Sequence, residues 1–192
     1  MKSSSKSVTA LALFSGGLDS ILACRTVAAQ GIQVRALKFV TPFFSHHLLA
    51  EEEQFQQKMQ NKYGIAAELI DLSSGYLDML RQPKHGFGKN FNPCIDCKIM
   101  MLRRARELME ERGASFLITG EVLGQRPMSQ RRDTLNLIER EAGCQDMLLR
   151  PLSAKLFKPI LAERQGVIER EDPIPVDVAQ HDRRHLARKS TL

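Results

Sequence analysis

Three short stretches of this 192-residue chain combine residue types and spacings that can do chemistry. The first, Ser15-Gly16-Gly17-Leu18-Asp19-Ser20, stands between an apolar run (Val8 to Phe14) and a helical pattern. Gly16 and Gly17 let the backbone turn tightly and come close to an anion. A helix starting there points its free N–H groups and the positive end of its dipole at that anion. The stretch is therefore a phosphate cradle, although it has neither the Gly-Lys-Ser/Thr of a Walker A loop nor a GxGxxG spacing. The second stretch is Asn92-Pro93-Cys94-Ile95-Asp96-Cys97. It sets two sulfurs on neighbouring turns at a helix start, where the dipole favours the thiolate that sulfur transfer and metal binding both need. The third runs from Thr119 to Gln130, with Gly120, Gly124, Gln125 and Gln130 opening a strand end and offering amide donors to a ligand.

The elements that must hold these stretches follow from the apolar pattern. Strand-like runs recur at Val8–Phe14, Gln33–Val40, Ala66–Leu72, Phe116–Thr119 and Met147–Leu149, separated by helical patterns. That alternation predicts an α/β fold with a doubly wound, parallel, five-stranded sheet. A first helix is expected from about Asp19 to Gly31, burying Leu22, Val27 and Ala28, and a second through Phe55, Met59 and Tyr63 to Gly64. The third should be capped by Asn92, carry Pro93 at its first position and end at Gly113. Its apolar stripe is Met101, Leu102, Ala105, Leu108 and Met109, with Arg103, Arg104, Glu107 and Glu110 facing out. Residues Gly75 to Phe91, with Pro83, Gly86 and Gly88, read as a loop over the open sheet edge. Ligands of doubly wound sheets sit beyond the carboxyl ends of the strands. Ser15–Ser20, Phe39–Pro42, Leu72–Ser74 and Thr119–Pro127 should therefore surround one crevice.

Ser15–Ser20 resembles the PP-loop, SGGxDS, of ATP pyrophosphatases, which grip the pyrophosphate of ATP and transfer AMP to a substrate. Thr119–Gln130 resembles the TGExLGQxxSQ segment of tRNA 4-thiouridine synthetases (tRNA sulfurtransferases), with one extra residue before Ser129-Gln130. The similarity runs from about Val8 to Leu161 and takes in Lys98 to Arg103, Leu149-Arg150-Pro151-Leu152 and Lys155. It implies an adenine nucleotide alpha hydrolase-like (HUP, Rossmann-like) domain over residues 1–171, with ATP and Mg²⁺ as cofactors. It further implies adenylation of a substrate oxygen, in first place a tRNA uridine, then pyrophosphate release and sulfur insertion. Nucleotide contacts are implied for Leu13, Phe14, Ser15, Gly16, Gly17, Asp19, Ser20, Lys38, Phe39, Lys98, Gly120 and Gln130. Asp19 would hold Mg²⁺ at the phosphates, and Lys155 would neutralise the departing pyrophosphate.

The cysteine pair is similar to the NPxxxC of bacterial tRNA 2-thiouridylases, which puts Cys97 on the sulfur-handling position with Cys94 beside it. It also resembles thiolation enzymes in which two such cysteines and a distant third hold a 4Fe–4S cluster. Cys144 is the third ligand that this reading requires, placed at a helix end from which it could reach the crevice, with a small buried residue as the alternative, whereas Cys24 falls inside the first helix as core. A catalytic or persulfide-carrying pair, an iron–sulfur site and an inert pair all stay open. Two other functions stay open as well: a PP-loop enzyme for a small-molecule acceptor, and a non-catalytic ATP or iron–sulfur module of a larger complex.

Composition bounds the partners. The chain is 43% hydrophobic and 26% charged, with a net charge of +6 that favours a polyanion such as nucleic acid. No apolar run approaches a membrane span, and four cysteines suit a reducing cytoplasm better than a disulfide scaffold. Arg131 and Arg132 are the better candidates for RNA phosphates, Arg103 and Arg104 lie among glutamates, and His46 and His47 read as solvated. Only a few polar residues precede Val8, where the 4-thiouridine synthetases carry an RNA-binding region. tRNA is thus expected to bind through a partner protein or a missing domain. A sulfur donor protein or sulfide, and a second copy of the chain, complete the expected partners. Residues 172–192, rich in His, Arg and Lys, read as a basic mobile tail.

Overall fold

In the first strand, β1 (Thr9–Leu13), side chains alternate between two cores: Ala10 and Ala12 face one, Leu11 the other, and all three are fully buried. The computed structural model describes residues 8–87, 93–126 and 129–170. After β1 come α1 (Leu18–Ala28), β2 (Gln33–Val40), α2 (Glu52–Tyr63), β3 (Ala66–Asp71) and α3 (Ser73–Arg81). The chain continues through α4 (Cys94–Glu111), β4 (Phe116–Thr119), α5 (Arg132–Ala142), β5 (Leu148–Leu149) and α6 (Leu161–Arg164). The strands pair in parallel in the order β3-β2-β1-β4-β5. Both faces are covered at β1, β4 and β5, which read as near-continuous apolar runs. The face with α1 holds Phe14, Ile21, Val27, Phe116 and Ile118; the face with α4 and α5 holds Leu37, Leu102, Ala105, Leu117 and Ile138. The order reverses direction between β1 and β4, which is where such a sheet opens a ligand crevice.

The expected doubly wound five-stranded sheet is present, with local differences. Helix α1 turns Ile21, Ala23, Cys24 and Val27 inward, leaving Leu22 half-buried and Ala28 exposed. Of the stripe on α4, Met101 is only half-buried, while Ile99 joins the core. Pro93 sits just before the first helical residue, Cys94, and the Asn92 cap lies outside the described residues. The larger correction concerns residues 75–81, expected as the start of a loop. Ser73–Arg81 is a helix, kinked at Ser74 and Gly75, that buries Tyr76 to 2% exposure. Tyr76 and the half-buried Met79 and Leu80 line one helical face, and Pro83 and Gly86 act only after the helix has ended. Gly88–Asn92 and the 172–192 tail lie outside the described residues. Among the described residues no helix is long and apolar enough to cross a membrane.

Candidate nucleotide-binding site

The loop between β1 and α1 is braced by one hydroxyl. Ser20 Oγ donates to the Gly17 carbonyl at 2.8 Å and accepts from the Gly16 N–H at 3.2 Å and Ser15 Oγ at 3.1 Å. That uses the full capacity of a hydroxyl, one donor and two acceptors. Ser15 Oγ in turn accepts from the Gly17 N–H at 3.2 Å, and Lys38 Nζ, from the end of β2, donates to the Ser15 carbonyl at 2.8 Å. Burial pulls the Lys38 ammonium below the usual lysine range. Gly16 takes φ +84°, a conformation that favours glycine, while Gly17 is extended at φ −82°. The two glycines of the loop thus have different reasons to be there.

Gly120, at the end of β4, has the tightest requirement. A Cβ on it would lie 2.7 Å from the backbone of Asp19 and Ser20. Backbone at that distance has no rotamer with which to yield, so β4 meets the start of α1 only through glycine. Gly120→Ala is expected to destabilise the chain by about 1–3 kcal/mol. It should also abolish ATP binding, because the clash pushes the phosphate loop off its brace. Isothermal titration with ATP checks the second effect, and urea unfolding the first.

A cavity of about 330 Å³ opens at the carboxyl ends of β1, β2 and β4. Of the residues expected to contact nucleotide, Leu13, Phe14, Ser15, Asp19, Ser20, Lys38, Phe39, Lys98, Gly120 and Gln130 line it. Gly16 and Gly17 lie exposed on the loop at its mouth. Lys155 does not line it; it is exposed on the 3-10 turn Pro151–Leu156. Gln130 is 6% exposed, and its Oε1 has no partner among the described residues, which leaves a buried acceptor for a ligand N–H. The Asp19 carboxylate likewise has no hydrogen-bond or ion-pair partner among the described residues. A hard carboxylate beside a phosphate loop fits a divalent cation such as Mg²⁺.

Glu121 joins the site without any signal in the local sequence. It receives an ion pair from Lys98 Nζ, one from Arg150 Nε at 3.2 Å and a hydrogen bond from Thr119 Oγ1 at 3.3 Å. Arg150 is 3% exposed, reaches Glu139 at 2.7 Å and stacks on Phe157 at 4.9 Å. Burial would raise the pKa of Glu121, but Lys98 and Arg150 outweigh it and hold the carboxyl below the usual range. A depressed folded pKa gives stability that is full above the ordinary value of about 4.3 and fades as pH falls through the folded value. Glu121→Gln, which leaves Arg150 and Lys98 short of charge, should cost about 3 kcal/mol at pH 7. In urea unfolding followed over pH, that deficit should narrow only below the ordinary carboxylate range.

Cys94 and Cys97 both sit half-buried on the first turns of α4, which begins at the same edge of the sheet as the cavity. Tyr76 Oη donates to Cys97 Sγ at 3.8 Å. Burial pushes the Cys97 thiol up, and the Tyr76 hydrogen bond offsets this only in part. The expected thiolate preference of a helix start is therefore overridden at Cys97 by desolvation. Of the two readings of Cys144, ligand or small buried residue, the buried one holds. It lies between α5 and β5, and so at the amino ends of the strands, opposite the crevice. It is fully buried, its one S–H shared between the Leu102 and Ala142 carbonyls at 3.7 and 3.6 Å, and burial pushes its thiol up to about 11. Among the described residues no three His, Cys, Asp or Glu side chains are grouped to hold a metal. Cys94, Cys97 and Cys144 do not fit a 4Fe–4S cluster. Cys24 is a core cysteine, as expected, its thiol pushed up to about 12 by burial.

Among the arginines, Arg126 lines the cavity, whereas Arg132 is tied to the Leu156 carbonyl at 2.6 Å and Arg131 pairs with Asp133. Arg103 donates to the Glu141 carbonyl, and Arg104 pairs with Glu107 and Glu111. His46 and His47 are exposed.

The sheet order, the braced glycine loop and the cavity at the switch point define a PP-loop domain of the adenine nucleotide alpha hydrolase-like fold. The family model described as thiamine biosynthesis protein (ThiI) matches residues 5–161, and the chain belongs to this family. A probable tRNA sulfurtransferase of Thermococcus kodakarensis is 28% identical over 173 residues, covering 86% of this chain and 44% of its own length. Another, of Lysinibacillus sphaericus, is 30% identical over 161 residues, covering 83% and 38%. The chain thus spans about two fifths of the curated relatives it matches. A crystal structure of a 4-thiouridine synthetase–RNA complex with bound ATP superposes with a TM-score of 0.58 at 25% identity, covering 76% of this chain and 37% of that one.

Proposed function

We propose that this chain is the ATP-binding, acceptor-activating domain of a tRNA sulfurtransferase. One observation carries the reading: a single cavity gathers the PP-loop, Lys98 and Gln130, and the residue next to Lys98 on α4 is Cys97. A uridine carbonyl oxygen attacks the α-phosphorus of ATP, the bond from that phosphorus to the bridging oxygen breaks, and pyrophosphate leaves. Sulfur then attacks the same uridine carbon, and the carbon–oxygen bond breaks to release AMP. The loop N–H groups and Lys98 position the phosphates and stabilise charge as it develops. Asp19 would hold Mg²⁺, which adds positive charge at the phosphates. Cys97 takes the terminal sulfur of a donor persulfide, the donor leaving as its thiol; that sulfur attacks the uridine carbon, and Cys94 then displaces it from Cys97, leaving a Cys94–Cys97 disulfide that a thiol reductant reopens.

The relatives named probable tRNA sulfurtransferase and the RNA and ATP in the structural neighbour support the acceptor and the nucleotide. The four unpaired cysteines suit a reducing cytoplasm. The family's description as a thiamine biosynthesis protein favours one second reading, sulfur transfer to a small-molecule acceptor. Acceptor dependence separates the two. Pyrophosphate release that requires unmodified tRNA, and that continues past one turnover only with a sulfur source, is the expected result. Release driven by a small molecule and indifferent to tRNA contradicts the tRNA reading.

A further inference from the structure

Two aromatic rings stand in solvent just past the carboxyl end of β2, on backbone that is pinned. Phe43 and Phe44 follow β2 and are 60% and 55% exposed. Thr41 and Phe44 exchange backbone hydrogen bonds at 3.0 and 3.1 Å, and Thr41 Oγ1 accepts from the Phe43 and Phe44 N–H groups at 3.3 and 3.1 Å. Ser45 closes the turn at φ +60°. Neither ring belongs to the core, yet the turn fixes the backbone of both. Adjacent exposed phenylalanines held this way at a ligand-binding edge are an apolar surface kept for an occupant.

The neighbours say what that occupant is. The Phe43 ring packs against Tyr76 at 6.1 Å and 40°, and Tyr76 Oη is the donor to Cys97 Sγ. Two residues before Thr41, Phe39 lines the nucleotide cavity. The platform is therefore one ring removed from the sulfur-bearing side chain and continuous with the strand end that lines the ATP cavity. A flat heterocycle stacked there lies on the same side of the sheet edge as both the cysteine and the ATP cavity. The exposed His46 and His47 next along the chain, and the net charge of +6, suit a ligand that carries phosphates.

We propose that Phe43 and Phe44 form the stacking platform for the acceptor base, an unstacked pyrimidine in a single-stranded or looped part of an RNA. This rests on the sulfurtransferase reading for the base's identity but not for its binding. Unpaired bases are recognised by stacking on aromatic side chains, which a paired base in a helix cannot reach.

The chain contains no tryptophan, so Phe43→Trp supplies a sole indole reporter on the platform. Its emission should be quenched saturably by a short single-stranded oligouridylate, without ATP or a sulfur source. The same oligomer annealed into a duplex should quench far less. Adding Phe44→Ala should weaken the oligomer by roughly tenfold. In the otherwise native chain, Phe43→Ala with Phe44→Ala should lower RNA-dependent thiolation by roughly tenfold or more in kcat/KM. The ATP dissociation constant should stay within about twofold, since stacking of the base is all that is removed. Phe43→Leu with Phe44→Leu keeps the apolar bulk and should stay defective. Equal quenching by duplex, full activity of the leucine variant, or quenching that follows protein concentration without RNA overturns the platform. The last result would assign the patch to a second copy of the chain. Intact quenching in a protein that cannot thiolate overturns the sulfurtransferase reading and leaves the platform standing.

Discussion

Replacing Asp19 with alanine is expected to lower pyrophosphate release from ATP by at least about a hundredfold, the scale on which removing a charge-stabilising group acts. Asp19 lines the cavity, stands in the first turn of α1 and has no side-chain partner among the described residues. Its loss therefore removes no contact on which the fold depends. A carboxylate at a helix start contributes some 0.3–1 kcal/mol through the dipole, so unfolding should shift by no more than that. Asp19→Asn keeps the size and removes the charge, and should be as inactive as the alanine variant. Coupled pyrophosphate detection over a range of Mg²⁺ concentrations reads the effect. Unaltered turnover in either variant removes the PP-loop mechanism.

Replacing Cys97 with serine should produce the opposite pattern, sparing the first half-reaction and eliminating the second. Cys97 is absent from the residues that line the nucleotide cavity, whereas its neighbour Lys98 is among them. ATP should bind within about twofold of the wild-type affinity, and AMP transfer to the acceptor should persist, because serine removes one sulfur and no charge that positions phosphate. Thiolated product should fall below detection when the sulfur source is a persulfide donor. Tyr76 Oη, which donates to Sγ at 3.8 Å, finds an acceptor in the serine hydroxyl as well, so α3 should stay in place. Thiolated nucleoside counted by mass spectrometry after digestion decides the outcome. Product formation at the wild-type rate would make the cysteine pair inert.

What the chain discloses on reading depends on how local its physics is. The phosphate loop is legible because two glycines, two serines and an aspartate sit within one turn, and each acts on its immediate neighbours. Gly120 is legible only through resemblance; its physical reason, a Cβ at 2.7 Å from the backbone of residues 19 and 20, joins segments a hundred positions apart. The Glu121 network has the same character. Lys98, Thr119, Arg150 and Glu139 meet on one carboxylate and its arginine only after α4, β4 and β5 have packed. Helix α3 stays hidden because Ser73, Ser74 and Gly75 at its start, and Pro83 just past its end, look like loop. Cys144 misleads for a topological reason. Gly143 does end a helix, at φ +68°, but in a βα repeat the end of a helix faces the edge of the sheet opposite the crevice.

The products made from ATP test the account most directly. Wild-type protein, supplied with ATP labelled on the α-phosphate, unmodified tRNA and a sulfur source, should yield AMP and pyrophosphate in step with thiolated uridine. ADP and inorganic phosphate, or no acceptor-dependent turnover of ATP, would contradict it.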